Sequence, residues 1–177
     1  MAKVSTGWAM GADVTMISHS PAKEEDARRL GAHHFLLSSD AAAMKDAKYS
    51  FDVIANTVSA DIDIRPYLEL LGLDGTMALV GAPPAPLQVP AFSLFDLRHS
   101  ISGSMIGGIP QTQEMLDFCG AHDIVSDIET IAIQQVNEAW DRVVASLSDR
   151  ARFVRAHRRD RGRLQGHERR RRSQGRG

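Results

Sequence analysis

The amino-acid sequence predicts an α/β fold, built as an incomplete doubly wound parallel sheet. Two observations point to this fold class. The strand candidates are apolar along their whole length, and helix-like stretches separate each strand from the next. Strands of that kind are buried on both faces, as they are in parallel sheets covered by helices. A chain of 177 residues has the size of one such domain with one core.

The predicted elements follow one another along the chain from residue 12. The first strand covers 12–18. A helix then begins at Pro21, carries acids in its first turn and arginines in its last, and stops at Gly31. Further strands are predicted at 34–37, 51–58, 75–81 and 100–106, with helices at about 61–71 and 111–121. Apolar residues at helical spacing around Trp140 predict a stripe that faces the core.

The composition excludes several classes of protein. A hydrophobic fraction of 43% and a charged fraction of 24% are typical of soluble globular proteins. No apolar run is long enough to span a membrane, and the first residues lack the apolar stretch of a secretory signal. The single cysteine, Cys119, excludes an internal disulfide, and no Cys/His cluster resembles a structural zinc site. A cytoplasmic location is therefore the default expectation.

Residues 155–177 form a tail of different composition. They are rich in arginine, have no lysine, and contain one large aliphatic residue, Leu164. Such a composition cannot build a packed core, so a disordered tail is predicted. One alternative is an arm that binds RNA or DNA through phosphate contacts; another is translation of a GC-rich gene in a shifted frame. The tripeptide Gly166-His167-Glu168 in this tail contains a histidine and a glutamate, which are residue types that can bind a metal ion. The neighbouring arginines would repel such an ion, so no metal site is predicted here.

The end of strand 12–18 carries information about a ligand. Dinucleotide-binding folds usually place an Asp or Glu at this position, where it binds the 2′-hydroxyl of the adenosine ribose. Here the chain has Ser18-His19-Ser20, with Lys23 shortly afterwards, and these groups suit a 2′-phosphate. The alternative is that Ser18 and Ser20 cap the helix that begins at Pro21. No G-x-G-x-x-G turn is present, so strand 12–18 is interpreted as the second strand of the fold.

Several runs of residues, which together cover about 140 residues in the expected order, resemble those of a known family. They include Met10–Ala27, Leu30-Gly31-Ala32, Asn56–Ala60, Leu79–Pro83, Gly103–Gly108, Met115–Cys119 and Ile133–Ala139. The resemblance is to the cinnamyl-alcohol-dehydrogenase group of the medium-chain, zinc-dependent alcohol dehydrogenases. It implies a Rossmann-like domain that prefers NADP, in an enzyme that transfers a hydride between a primary alcohol or aldehyde and NADP. It also implies a homodimer, which is common in the family.

The resemblance assigns residues to the cofactor and none to catalysis or to a metal. Ser18, His19 and Lys23 match the 2′-phosphate site, although His19 stands where Arg or Ser is more usual. The nicotinamide half matches Thr57, Val80 and Ser104. The family's zinc domain and the first cofactor strand with its glycine turn have no counterpart in the sequence.

The resemblance also divides the chain into segments. Residues 1–11 are interpreted as a remnant of the preceding helix, 12–122 as a partial NADP-binding domain, and 123–154 as a segment that returns towards the catalytic domain. Residues 155–177 are the tail. The expected function is that of a fragment of an NADP-dependent alcohol dehydrogenase that is inactive alone. Two alternatives stay open: a non-catalytic nucleotide- or nucleic-acid-binding protein, or a product of a disrupted gene without a function of its own.

Overall fold

The computed structural model describes residues 2–125, 130–147 and 153–158. Within these residues the strands are β1 (Ala12–Asp13), β2 (Thr15–Ser18), β3 (His34–Leu37), β4 (Phe51–Asn56), β5 (Leu71–Leu79), β6 (Ser100–Gly103) and β7 (Phe153–Arg158). The α-helices are α1 (Ala2–Ala9), α2 (Glu24–Arg29), α3 (Ala41–Asp46), α4 (Arg65–Leu68), α5 (Phe92–Phe95), α6 (Ile109–Ala121) and α7 (Val136–Leu147). Short 3-10 helices cover Pro21–Lys23 and Ile133–Gln135.

The strands form one sheet in the order β3-β2-β7-β4-β5-β6, and β1 also pairs with β7. The pairs β2–β3, β4–β5 and β5–β6 are parallel. Strand β7 is antiparallel to both of its neighbours, so β2 and β4 point in the same direction. Five strands of the described part therefore end at one edge of the sheet, which is the geometry of a doubly wound α/β fold. The predicted fold class is confirmed.

Two apolar clusters cover the two faces of this sheet. Ile17 and Ile54 belong to one cluster with residues of β5 and α4, and both are fully buried. Val14 and Met16 belong to the other, together with Val4 of α1 and Ala27 of α2. Because neighbouring residues of a strand face opposite sides, β2 supplies a buried side chain to each cluster in turn. This is the burial that the apolar strand pattern predicts.

Local signals in the sequence account for where the short helices begin. At α3, the carboxylate of Asp40 accepts hydrogen bonds from the amides of Ala42 and Ala43, at 2.9 and 3.0 Å. A helix leaves its first amides without partners inside the helix, and Asp40 satisfies two of them. At α2, Glu24 pairs with Arg28 one turn later at 2.8 Å.

Several predicted boundaries differ from the structure. The helix expected at about 61–71 is confined to Arg65–Leu68, because β5 already begins at Leu71. The strand expected at 75–81 begins earlier, at Leu71, and ends at Leu79. Its pairing with β4 shifts register between Phe51 and Val53. The predicted strands 51–58 and 100–106 end earlier, at Asn56 and Gly103.

Two predictions at the end of the chain are corrected. Residues 155–158 were expected to be disordered, but they lie in β7, where hydrogen bonding to strands on both sides outweighs the polar composition. The rest of the tail, 159–177, with Gly166-His167-Glu168, lies outside the described residues. The core stripe around Trp140 is wrong for the two members whose exposure is described, since Trp140 is 66% exposed and Val136 48%.

Candidate functional site

The carboxyl ends of the parallel strands bring the predicted cofactor residues to one edge of the sheet. Ser18 is the last residue of β2, and Thr57 directly follows β4. Val80 directly follows β5, and Ser104 follows β6. In open α/β sheets, ligands bind in the crevice outside this edge. Four of the six predicted residues thus share the edge through the fold alone, and His19 and Lys23 lie in the segment that leaves β2.

Ser18 holds the turn that leaves β2. Its side-chain Oγ accepts a hydrogen bond from the amide of Ser20 at 3.3 Å, and its carbonyl accepts one from the amide of Ser38 at 2.9 Å. The residue is 1% exposed. The Ser20 side chain makes no capping hydrogen bond to the helix that follows. The capping alternative is therefore not found at Ser20, and Ser18 stabilises the turn rather than the helix.

His19 and Lys23 are polar residues of the segment that leaves β2. His19 is exposed, and Lys23 is half-buried at the end of the Pro21–Lys23 helix. The Lys23 amide donates to the Ser20 carbonyl at 3.3 Å, which closes the turn. No carboxylate stands at residues 18–20, and the nearby Glu24 is paired with Arg28. The turn therefore offers cationic and hydrogen-bonding groups without the acid that would repel a phosphate.

The segments that follow β4 and β5 lie very close together beside Thr57 and Val80. The Asn56 carbonyl accepts hydrogen bonds from the amides of Val80 and Gly81 at 2.8 and 3.0 Å. The buried Asn56 side chain accepts another from the amide of Val58 at 2.9 Å. A β-carbon on Gly81 would collide with the Val58 backbone, so this position requires glycine. These bonds fix the backbone of Thr57, which is half-buried, and of Val80, which is 48% exposed.

Asn56 and Gly81 were not singled out from the sequence, although they determine the shape of this edge. Their signal was present: a polar residue ends an apolar strand, and a glycine follows the next strand. Neither residue type reveals by itself which backbone it approaches. The contact depends on the parallel pairing of β4 with β5, which becomes visible only in the fold.

Residues that follow β4 and β5 line a cavity of about 550 Å³. Its lining comes from the loop between β4 and α4 and from the proline-rich loop after β5, and consists of Asp61, Ile62, Asp63, Arg65, Ala85, Pro86 and Gln88. Part of the proline-rich loop therefore lines a cleft. Arg65 pairs with Asp63 at 2.6 Å, and its hydrogen bonds hold the pKa of the Asp63 carboxyl below its usual value.

The position between β2 and β4, called here the central slot, contains β7. Phe153 is registered with Ile17 on one side and with Asn56 on the other, so the first residue of β7 lies at the edge where the parallel strands end. The glycine-rich turn of a dinucleotide-binding fold does not occupy this position in the described residues.

In residues 2–125, 130–147 and 153–158, no three His, Cys, Asp or Glu side chains come together as a possible metal site. None of the helices in this part of the chain has the length and apolar character needed to cross a bilayer. Cys119 is half-buried on α6 rather than fully buried, with its Sγ 3.7 Å from the Met115 sulfur.

Comparisons with known proteins agree with this architecture. A family model described as zinc-binding dehydrogenase matches residues 4–121. The chain is 52% identical over 146 residues to an NADP-dependent alcohol dehydrogenase C of Mycolicibacterium smegmatis, covering 82% of this chain and 42% of that protein. It is 46% identical over 152 residues to cinnamyl alcohol dehydrogenase 2 of Arabidopsis thaliana, covering 85% of this chain and 40% of that protein.

Solved structures give the same result. A cinnamyl alcohol dehydrogenase from Sorghum bicolor superposes with a TM-score of 0.72 at 43% identity, over 79% of this chain and 40% of that one. A cinnamyl alcohol dehydrogenase from Helicobacter pylori, solved with NADP(H), superposes with a TM-score of 0.71 at 32% identity, over 85% of this chain and 43% of that one. The chain thus spans about two fifths of the length of these relatives, and the family resemblance seen in the sequence is confirmed. The chain belongs to the zinc-binding dehydrogenase family.

Proposed function

We propose that this chain is the cofactor-holding part of an NADP-dependent alcohol dehydrogenase, and that it binds the 2′-phosphoadenosine half of NADP at the turn after β2. The observation that carries the proposal is the placement of the predicted residues along one sheet edge. Ser18 and Lys23 frame the turn after β2, while Thr57 and Val80 lie at the ends of β4 and β5. The comparisons support it through relatives named for NADP.

The residues after β2 fit a phosphate by their chemistry. Lys23 supplies a positive charge, and His19 supplies a ring nitrogen that can donate a hydrogen bond. Hydrogen bonds that involve a charged group contribute about 1.5–3 kcal/mol each, more than neutral ones. NADP when bound would supply the hydride acceptor for the oxidation of a primary alcohol. The residues of this chain would orient it along the edge formed by Thr57, Val80 and Ser104.

The described residues do not fit a zinc ion, so no step through zinc is assigned to this chain. We therefore propose that the chain binds the cofactor and does not by itself catalyse the hydride transfer.

Reversing the charge at Lys23 tests the binding site. The Lys23→Glu variant should bind NADPH about 10–100-fold more weakly, because it loses a charge-assisted contact and adds repulsion. The affinity for NADH, which lacks the 2′-phosphate, should change little. Titration followed by NADPH fluorescence measures both affinities, with Lys45→Glu as the control because Lys45 lies on α3. Equal NADPH affinity in Lys23→Glu and the unchanged protein would refute the site.

A further inference from the structure

We propose that the ring of His99 is a proton-controlled latch between α5 and the start of β5. In its doubly protonated form the ring holds both elements, and the loss of one proton releases one of them. The proposal rests on three features of the described residues. These are the two hydrogen-bond partners of the ring, the weak anchoring of α5 by its own residues, and the pairing of the charges nearby.

The His99 ring lies between two backbone carbonyls. Its Nδ1 is 2.9 Å from the carbonyl oxygen of Ser93 in α5, and its Nε2 is 3.1 Å from that of Leu71, the first residue of β5. A carbonyl oxygen can only accept a hydrogen bond, so both ring nitrogens must donate. Only the imidazolium carries a proton on each nitrogen. The geometry is therefore that of a positively charged His99 joined to both elements.

The loss of one ring proton breaks this link. The deprotonated nitrogen then presents a lone pair to a carbonyl oxygen, and a hydrogen bond is replaced by repulsion. The ring is half-buried, so water has limited access to take over the lost contact. Whichever nitrogen loses its proton, the ring no longer holds α5 and β5 together.

Helix α5 has few other means of holding its position. It has four residues, Phe92–Phe95, none of them buried, and no side chain caps its first turn. A helix this short is not stable without tertiary contacts. Its two phenylalanines are 78% and 64% exposed, with ring centroids 5.6 Å apart. Release of the latch would therefore change how this aromatic pair is presented, and would free the end of the proline-rich loop that precedes it.

The charged groups near the latch have partners of their own. Arg98, next to His99, donates to Asp74 of β5 at 2.8 and 2.6 Å. The other titratable or charged side chains on this segment, on α4 and just after α4 are Arg65, paired with Asp63, Glu69, paired with Lys48, Tyr67, which is half-buried, and Asp96, which is exposed. The contacts that favour the charged ring are thus the two carbonyls.

The latch should hold more firmly at low pH. The fastened form keeps both ring protons, and the released form gives one up more readily, so release becomes more favourable as the pH rises. Histidine ordinarily loses this proton near about pH 6.5. The change is therefore expected between about pH 5.5 and about pH 8.

Amide hydrogen exchange of the full chain at these two pH values tests the latch. The reporters are Ser93 and Leu94, whose amides donate to the carbonyls of Pro90 and Ala91. After correction for intrinsic exchange rates, their protection should fall about tenfold or more from the lower pH to the higher. Protection at Met77 in β5 reports the stability of the sheet and should not fall by that factor.

Two variants at residue 99 fix the latch in opposite states. His99→Arg keeps a charge and several donors at both pH values, so protection at Ser93 and Leu94 should no longer depend on pH. His99→Leu has no donor, so their protection should be low at both values. The control is His122→Leu, because His122 is exposed at the end of α6, and it should keep the pH dependence of the unchanged protein.

Two results would overturn the proposal. One is a pH dependence at Ser93 and Leu94 that persists in His99→Leu. The other is protection in the unchanged protein that does not fall as the pH rises, and this result decides the matter even if His99→Leu fails to fold.

Discussion

Gly81 is the residue at which the ends of β4 and β5 come closest. Replacing it with alanine places a methyl group against the Val58 backbone, which cannot rotate away as a side chain can. Gly81→Ala should therefore lower the free energy of unfolding by about 2 kcal/mol, and Tm by roughly 4–8 °C. Thermal melting followed by circular dichroism measures the change.

The matched control is Gly120→Ala, because a β-carbon at Gly120 in α6 meets nothing within 4 Å. Alanine is favoured over glycine inside a helix, so this variant should be as stable as the unchanged protein or slightly more stable. A Gly81→Ala variant that melts together with Gly120→Ala would show that the strand ends are not packed as described.

At the scale of the element, α3 depends on its cap. The Asp40 carboxylate accepts from two amides of the first turn, and Asp40→Ala leaves both without that partner. The variant should lose about 1 kcal/mol of stability, seen as a lower urea midpoint with an unchanged slope. Ser20→Ala is the control, because the Ser20 side chain makes no capping hydrogen bond. Equal losses in the two variants would contradict the assigned cap.

The elements also show how far the sequence could predict the structure. Strand 34–37 and helix 111–121 follow from apolar pattern and from local start and stop signals, and the structure places them at His34–Leu37 and Ile109–Ala121. Strand β7 could not be predicted this way, because its arginines indicate a solvated segment. It forms because β2 and β4 present unpaired backbone groups, which is a property of the assembled sheet and not of the local sequence.

The candidate site also has one part that the local sequence predicts and another part that depends on the assembled sheet. The residue types after β2 predict a phosphate-binding turn before any coordinates are considered, because charge and hydrogen bonding are local properties. The closeness of Thr57 to Val80 depends on pairing between strands that are distant in sequence. The roles of Asn56 and Gly81 could not be predicted for that reason, because each contacts backbone of the neighbouring strand.

At the scale of the whole molecule, we expect the chain to bind NADPH without catalysing its oxidation. The chain spans about two fifths of the length of its relatives, and its described residues offer no metal site. Purified chain supplied with zinc, NADPH and an aldehyde should show no loss of NADPH absorbance above the uncatalysed rate. A full-length relative, such as the Mycolicibacterium smegmatis enzyme, serves as the positive control. Zinc-dependent NADPH oxidation by this chain would refute the expected inactivity.

At the same scale, we expect the turn after β2 to recognise the 2′-phosphate of NADP. The most direct measurement is the ratio of the dissociation constants for NADH and NADPH on the unchanged chain, obtained by fluorescence titration at fixed ionic strength. Lys23 and His19 at this turn predict that NADPH binds at least about tenfold more tightly than NADH. Equal affinities in a chain that melts cooperatively would contradict the account.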